Sequence, residues 1–168
     1  DLGITTLPNE VYSITGLKLK ARSPFPATFN IELANGAAGY IPPPHQHELG
    51  GYTTWPARTA GLEVDAEPKI VETLLGSLES LAGKPRREPA PFHGAYAKAI
   101  LDEKPLAYWR CEEFDGNRLA DASGNEVHGE IDGMVAYHLP GPETPSFSGE
   151  SRNASLQLAG GTVSATIP

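Results

Sequence analysis

The chain reads as α+β in two parts: a mixed α/β segment and a mostly-β segment, joined by a proline-rich linker. Three observations predict this. Residues 66–82 carry one long apolar stripe at helical spacing, after a short alternating run at 28–33. Gly83-Lys84-Pro85-Arg86-Arg87-Glu88-Pro89-Ala90-Pro91 crowds three prolines and mixed charge into a few residues. From Asp115 onward, turn pairs such as Asp115-Gly116, Ser123-Gly124, Asp132-Gly133 and Pro140-Gly141 separate short apolar pieces.

The elements follow in order. Asp1-Leu2-Gly3-Ile4-Thr5-Thr6-Leu7 reads as an opening strand, as if structure were already under way, and is punctuated by Pro8-Asn9. Residues 11–22 place Val11, Ile14 and Leu17 at a spacing of three, with Leu19 and Tyr12 nearby. That predicts an amphipathic helix with Asn9 as N-cap, weakened by Gly16 and ended by Ser23-Pro24-Phe25-Pro26. Thr28-Phe29-Asn30-Ile31-Glu32-Leu33 alternates as a strand does. Residues 34–41 are small and lead into Pro42-Pro43-Pro44, as a tight turn or a close backbone approach would. Residues 45–51 read as a polar loop, Tyr52-Thr53-Thr54-Trp55 as a brief strand, and Leu62-Glu63-Val64 as extended.

The helix over 66–82 has the fullest set of signals. Asp65 is the expected N-cap, Glu67 and Pro68 lie in the first turn, and Gly83 stands past the end. Its stripe is Ile70, Val71, Leu74, Leu75, Leu78 and Leu81, with Leu74 and Leu78 expected at the centre of the core. The domain boundary is placed next, dividing the chain into 1–83, a linker at 84–94, and 95–168. In the second part a short helix is expected over 95–102, with Ile100 and Leu101 inward. Leu106-Ala107-Tyr108-Trp109-Arg110, Ala154-Ser155-Leu156-Gln157-Leu158 and residues 162–167 read as strands.

Composition narrows the partners. A net charge of −8 over 168 residues argues against nucleic acid, which needs clustered Lys and Arg. The one basic run, Lys84-Pro85-Arg86-Arg87, is broken by proline and falls in the linker. No apolar run approaches the roughly 20 residues that span a bilayer. Cys111 is the one cysteine and reads as a small apolar side chain. His45 and His47 form a His-x-His that would share a face on a strand, a workable metal spacing. The plainer reading is a loop behind three prolines. Asn153-Ala154-Ser155 fits the glycosylation sequon and marks a surface loop.

Two stretches carry a resemblance. Leu7-Pro8-Asn9-Glu10, then residues 29–33, then Asn35-Gly36-Ala37-Ala38-Gly39-Tyr40-Ile41-Pro42, then Gly50-Gly51-Tyr52 and the helix over 66–81 follow one another in an order. That order resembles the end of the catalytic domain of neutral/alkaline (non-lysosomal) ceramidases, nearest to their divergent bacterial versions. Ala107-Tyr108-Trp109-Arg110, Asp121-Ala122-Ser123-Gly124-Asn125, His128-Gly129 and Leu156 resemble the start of concanavalin A-like, laminin-G-type lectin modules. The second part is then a partial, jelly-roll-like sandwich.

The resemblance implies a secreted, periplasmic or cell-envelope multi-domain protein. Its parent would be a zinc-dependent hydrolase of ceramide-type N-acyl amides with a lectin-like appendage. In that family the metal site is built from upstream histidines and a glutamate, plus a tyrosine in this terminal region. Tyr40 is the candidate ligand. The family's Tyr-x-x-Tyr has Ala37 at its first position here, so which of the two tyrosines ligates is left open. Without the upstream ligands this chain alone is expected to be non-catalytic and to hold no cofactor. Its partners would be the rest of the parent or a neighbouring copy, with lipid or glycan as ligand. Asp121, Asn125 and Asp132 could offer oxygens to Ca²⁺, the alternative being Asx-turn chemistry. A second class of function stands beside the enzyme: a glycan-binding, protein-binding or structural module. A partial sandwich would also leave residues 163–167 to pair with the parent, another copy or the first part.

Overall fold

The computed structural model describes residues 1–56, 59–88, 94–142 and 153–167. The protein is α+β, with small, open sheets. It divides into two compact units, Asp1–Pro89 and Ala90–Pro168.

In the first unit, β1 (Leu2–Thr6) and β3 (Ala27–Ile31) pair in parallel, with Leu2 opposite Ala27 and Thr6 opposite Ile31. Helix α1 (Ser13–Arg22) lies in the connection between them. It begins two residues later than the sequence suggested, and Asn9 does not cap it. Asn9 is buried, and its Oδ1 instead accepts the backbone N–H of Ala38 at 2.9 Å. The N-cap position falls to Tyr12, which makes no side-chain cap. Gly16 has a packing reason: a Cβ there would lie 3.0 Å from Asn30 Nδ2, which donates to the Gly16 carbonyl at 3.2 Å. Glycine lets β3 approach the helix backbone at the cost of helix propensity.

A second parallel pair joins β2 (Glu10–Val11) to β4 (Tyr40–Ile41). Residues 45–51 are not simply a loop. Pro44 occupies the first turn of α2 (Pro44–Leu49), where its missing N–H costs nothing. Residues 52–54 form a 3-10 turn rather than a strand, and 62–64 lie outside any strand.

Helix α3 (Ala66–Ala82) ends as its sequence implies, with Gly83 left-handed at φ 64° and its N–H on the Glu79 carbonyl at 2.9 Å. Asp65 makes no side-chain cap. The core cluster packs α3 on α1 through Leu19, Val71, Leu75 and Leu78, with Phe25 and Leu74 partly buried beside it. Leu75, not Leu74, is its centre at 0% exposure, while Leu81 is 78% exposed. One helical position is a rotation of about 100°, so the stripe turns toward Leu75.

The sheet faces are inverted relative to their apolar pattern. Gly3 and Thr5 are buried, Thr28 and Asn30 are half-buried, and Thr5 Oγ1 bonds Asn30 Oδ1 at 2.5 Å. Leu2, Ile4, Phe29 and Ile31 are exposed on the opposite face. The start of the proline-rich run is bonded to this unit. Arg86 bridges Glu72 and Glu79 of α3, and Arg87 bonds the carbonyls of Lys20 and Ser23.

In the second unit, α4 (Ala95–Asp102) has Ala97 as its buried residue, with Ile100 and Leu101 half-buried. No helix follows among the described residues. Residues 106–110 do not form a strand. They run beside the 121–128 loop through a single bridge between Trp109 and Asp121. β5 (Arg118–Leu119), β6 (Gly129–Asp132) and β9 (Thr162–Ser164) form an antiparallel sheet, and β7 (Val135–Pro140) pairs with β8 (Ala154–Leu158). The last strand is shorter than the 162–167 expected, and Val163 finds its partner, Ile131, inside the same unit. With Ala97, the buried apolar residues among those described here are Leu119, Val127 and Ile131.

Candidate functional site

Beyond the carboxyl ends of β1 and β3 the chain brings Glu10, Tyr40 and Tyr52 together. The parallel pairing continues one residue past β1, with Leu7 N–H on the carbonyl of Ile31, the last residue of β3, at 2.9 Å. The following segment then folds back. Ala34 N–H reaches the Leu7 carbonyl at 2.8 Å, and Glu10 N–H reaches that of Gly39 at 3.1 Å. Left-handed backbone at Asn35 (φ 64°) permits the reversal; asparagine tolerates it better than most side chains. Glu10 thereby becomes the register partner of Tyr40. The Tyr40 N–H donates to Thr59 at 2.7 Å, which fixes the outer edge of β4.

Tyr52 closes the site. Its ring stands edge-on to Tyr40 with centroids 5.5 Å apart and planes at 87°. Beside it the Tyr12 and Thr53 hydroxyls share a hydrogen bond of 2.6 Å. Hydrogen bonding with Tyr52, then burial, then the negative charge of Glu10 push the Tyr40 phenol up to about 12. At neutral pH Tyr40 is therefore a protonated phenol beside a carboxylate, suited to donating a hydrogen bond. Binding a cation as phenolate would have to expel a proton held more firmly than usual.

These residues do not make a zinc site on their own. The cluster offers one carboxylate and phenols, and no group of three or more His, Cys, Asp or Glu among the described residues is arranged to hold a metal. His45 and His47 do not supply the lack. They sit on α2, where residues two apart point to different sides, unlike on a strand.

The Asp121 loop, the other cation candidate, is occupied by its own chain. Asp121 Oδ1 accepts the N–H of Tyr108 at 2.8 Å and of Ser123 at 2.9 Å. Its Oδ2 accepts Ser123 Oγ at 2.7 Å and Val127 N–H at 3.1 Å. Burial alone would push this carboxyl up, but the Ser123 hydroxyl and the three backbone donors outweigh it and hold it well below the carboxylate range. Asn125 Nδ2 donates to Pro105 and Leu106, and Asp132 lies away on β6, exposed. His128 Nδ1 accepts the Asp121 N–H at 3.1 Å. At Gly129 a Cβ would meet Val163 Cγ1 at 3.0 Å and Trp109 Cε2 at 3.3 Å. The Asp-x-Ser-Gly-Asn…His-Gly pattern thus has a scaffolding role: the carboxylate gathers the turn, and the glycine admits the neighbouring strand.

The second unit also has a groove of about 300 Å³, walled in part by Tyr96, Tyr108 and Trp109. The Arg110–Glu112 ion pair, 2.7 Å, lies along it. Trp109 is anchored by its Nε1, which donates to the Val127 carbonyl at 2.7 Å. Cys111 lines the groove too, with left-handed backbone (φ 55°) and a thiol pushed up by burial. Tyr52, Glu10 and this groove were not singled out as site residues in the sequence. For Glu10 and Tyr52 the signal was present, because both fall within stretches that carried the resemblance.

No family model, curated protein or solved structure matches this chain.

Proposed function

We propose that the first unit is one wall of the active site of a ceramidase-type N-acyl amide hydrolase, and that the chain by itself turns nothing over. One observation carries this reading. Leu7-Pro8-Asn9-Glu10, the stretch ending in Tyr40 and Gly50-Gly51-Tyr52 are far apart in sequence, yet meet at a single cluster around Tyr40. The cluster lies past the carboxyl ends of parallel strands, where open α/β sheets place their ligands. Tyr40 would act as the hydrogen-bond donor to an amide carbonyl, with the negative charge of Glu10 keeping the phenol protonated and Tyr52 orienting its ring. Zinc, supplied with ligands from outside this chain, would provide the activated water in such an enzyme. The outward apolar row Leu2, Ile4, Phe29 and Ile31 agrees with a larger body, since parallel sheets are normally covered on both faces.

The test is hydrolysis of an N-acyl sphingosine with zinc present. The 168-residue chain should show none, and Tyr40→Phe in the longer enzyme should lower kcat by about 10²-fold, the scale of one lost donor. Turnover by the chain alone, or an unaffected Tyr40→Phe enzyme, would overturn the reading.

The aromatic groove of the second unit favours a second reading, a glycan-binding module. Aromatic faces beside a charged pair suit the apolar and hydroxyl sides of a sugar. Titrating oligosaccharides while following Trp109 fluorescence tests it, with Tyr96→Ala expected to weaken any response.

A further inference from the structure

Glu10 and Tyr12 stand two residues apart on extended chain, Glu10 in β2 and Tyr12 just past it at φ −71° and ψ 148°. Residues so spaced project to one side of a strand. Glu10 is the register partner of Tyr40. Tyr12 reaches a different neighbour. Its hydroxyl and that of Thr53 share a hydrogen bond of 2.6 Å, and Thr53 directly follows Tyr52. One short segment thus meets the Tyr40 site twice, by a carboxylate beside the phenol and by a hydroxyl at the base of its aromatic neighbour.

The two ends of that bond are unequal. Tyr12 is built into the fold. Its carbonyl accepts the N–H of Thr15, a fully buried residue, at 3.0 Å, and α1 starts at the next position. Helix α1 in turn packs on α3 through Leu19. Thr53 lies in the single 3-10 turn of residues 52–54. On the upstream side, Gly50 and Gly51 have φ of 77° and 101°, and a Cβ at either would meet nothing within 4 Å. Within the turn, Thr54 bonds back to the Gly51 carbonyl, by its N–H at 3.0 Å and its Oγ1 at 2.9 Å. These bonds shape the turn without attaching it to another element. On the downstream side, the Trp55 carbonyl accepts Ala60 N–H at 2.9 Å and Thr59 Oγ1 at 2.7 Å, which ties the far end toward β4. Tyr52 is 58% exposed, so burial does little to fix its ring.

We propose that the Tyr12–Thr53 hydroxyl pair is the positioning contact that sets Tyr52 against Tyr40. It acts as a strut from the start of α1 to a turn that a glycine pair leaves free to shift. Tyr12 and Thr53 are positioning residues: they act through Tyr52 and Tyr40, and their part in amide hydrolysis rests on the amidase reading. The placement of Tyr52 is a property of this chain alone. A donor must meet a reacting carbonyl within a narrow range of distance, so small shifts of the groups around Tyr40 matter. One hydrogen bond of ordinary strength biases such a placement by about two- to tenfold.

Nuclear Overhauser spectra of the 168-residue chain with labelled tyrosine test it. The parent should show cross-peaks between the ring protons of Tyr40 and Tyr52. Tyr12→Phe and Thr53→Val each remove one hydroxyl and keep most of the side-chain volume. Either should weaken those cross-peaks at least about twofold, with the amide shifts of α1 and α3 unchanged. Thr53→Ser restores a hydroxyl and should restore the contact. Should Tyr12→Phe fail to fold, Thr53→Val breaks the same bond from the exposed side. Cross-peaks as strong in a folded variant as in the parent overturn the proposal and leave the amidase reading standing, because Tyr40 and Tyr52 would still meet. A parent without the contact overturns both. Spectra that behave as expected, beside a longer enzyme that hydrolyses no N-acyl sphingosine, support the strut and sink the amidase reading.

Discussion

The carboxylate of Glu67 has no exposed surface and lies 3.2 Å from Lys18 Nζ, across the contact between α3 and α1. Thr15 Oγ1, also fully buried, donates to the same carboxylate at 2.9 Å. A charge is thus enclosed next to the apolar cluster of Leu19 and Leu75, with each partner dependent on the other. Removing Lys18 deprives a carboxylate with no exposed surface of its countercharge. Lys18→Met should cost about 3–5 kcal/mol, whereas K18M/E67M together should come near neutral. Denaturant unfolding of the single and double variants checks this. A single variant as stable as the parent would show the pair to be dispensable.

Leu75 and Leu81 lie on the same helix with opposite fates. Leu75→Ala should cost about 2–5 kcal/mol, since its side chain is wholly enclosed by the α1–α3 cluster. Leu81→Ala should change stability by no more than about 0.5 kcal/mol. Thermal melts of the two variants, compared side by side, measure the difference.

Tyr40 should ionise late. Its phenolate absorbance is expected to appear near pH 12, and Tyr52→Phe or Glu10→Gln should move it back toward the ordinary tyrosine value of about 10. The sign follows from linkage. A pKa raised by folding contributes stability that is fully present below the unfolded value and is lost as pH rises through the folded one. The window therefore opens near pH 10 and closes near 12. A Tyr40 that titrates normally in the intact chain would mean Tyr52 and Glu10 do not hold its proton.

Asp121 behaves in the opposite sense. Its carboxyl is held low in the fold, so its contribution is present above the unfolded value of about 3.9 and fades as pH falls below it. Asp121→Ala should release the amides of Tyr108, Ser123 and Val127. Hydrogen exchange at those three positions should accelerate in the variant at neutral pH, and in the parent only under strong acid. Added Ca²⁺ should slow neither, because the carboxylate oxygens already carry four donors.

At Gly129 any side chain would press on Val163, Leu119 and Trp109 at 3.0–3.3 Å. Gly129→Ala should therefore destabilise the β5–β6–β9 sheet by about 1–3 kcal/mol, the usual cost of overpacking. Urea midpoints, read through Trp109 fluorescence, would register it.

The sequence by itself determined the elements whose causes are local. The stripe and Gly83 defined α3 to its last residue, because helix period and a left-handed terminus are properties of neighbouring residues. Alternation located β3 and β8 for the same reason. Only the tertiary structure decided what those elements face. The alternation of Phe29 and Ile31 is the same whichever side is inward, and packing of Gly16 against Asn30 put the polar side toward α1. Asn9 has the chemistry of a helix cap, yet its carboxamide oxygen went to Ala38, a competitor 29 residues away that no window of sequence contains. Arg86 and Arg87 read as linker because prolines flank them, but acceptors on two distant helices hold them down. Of the candidate site only Tyr40 was legible as a site residue; Glu10 and Tyr52 stood unmarked within the stretches that carried the resemblance. Their meeting depended on parallel pairing of β2 with β4 and on the reversal at Asn35, which are decided by long-range hydrogen bonds rather than by residue type.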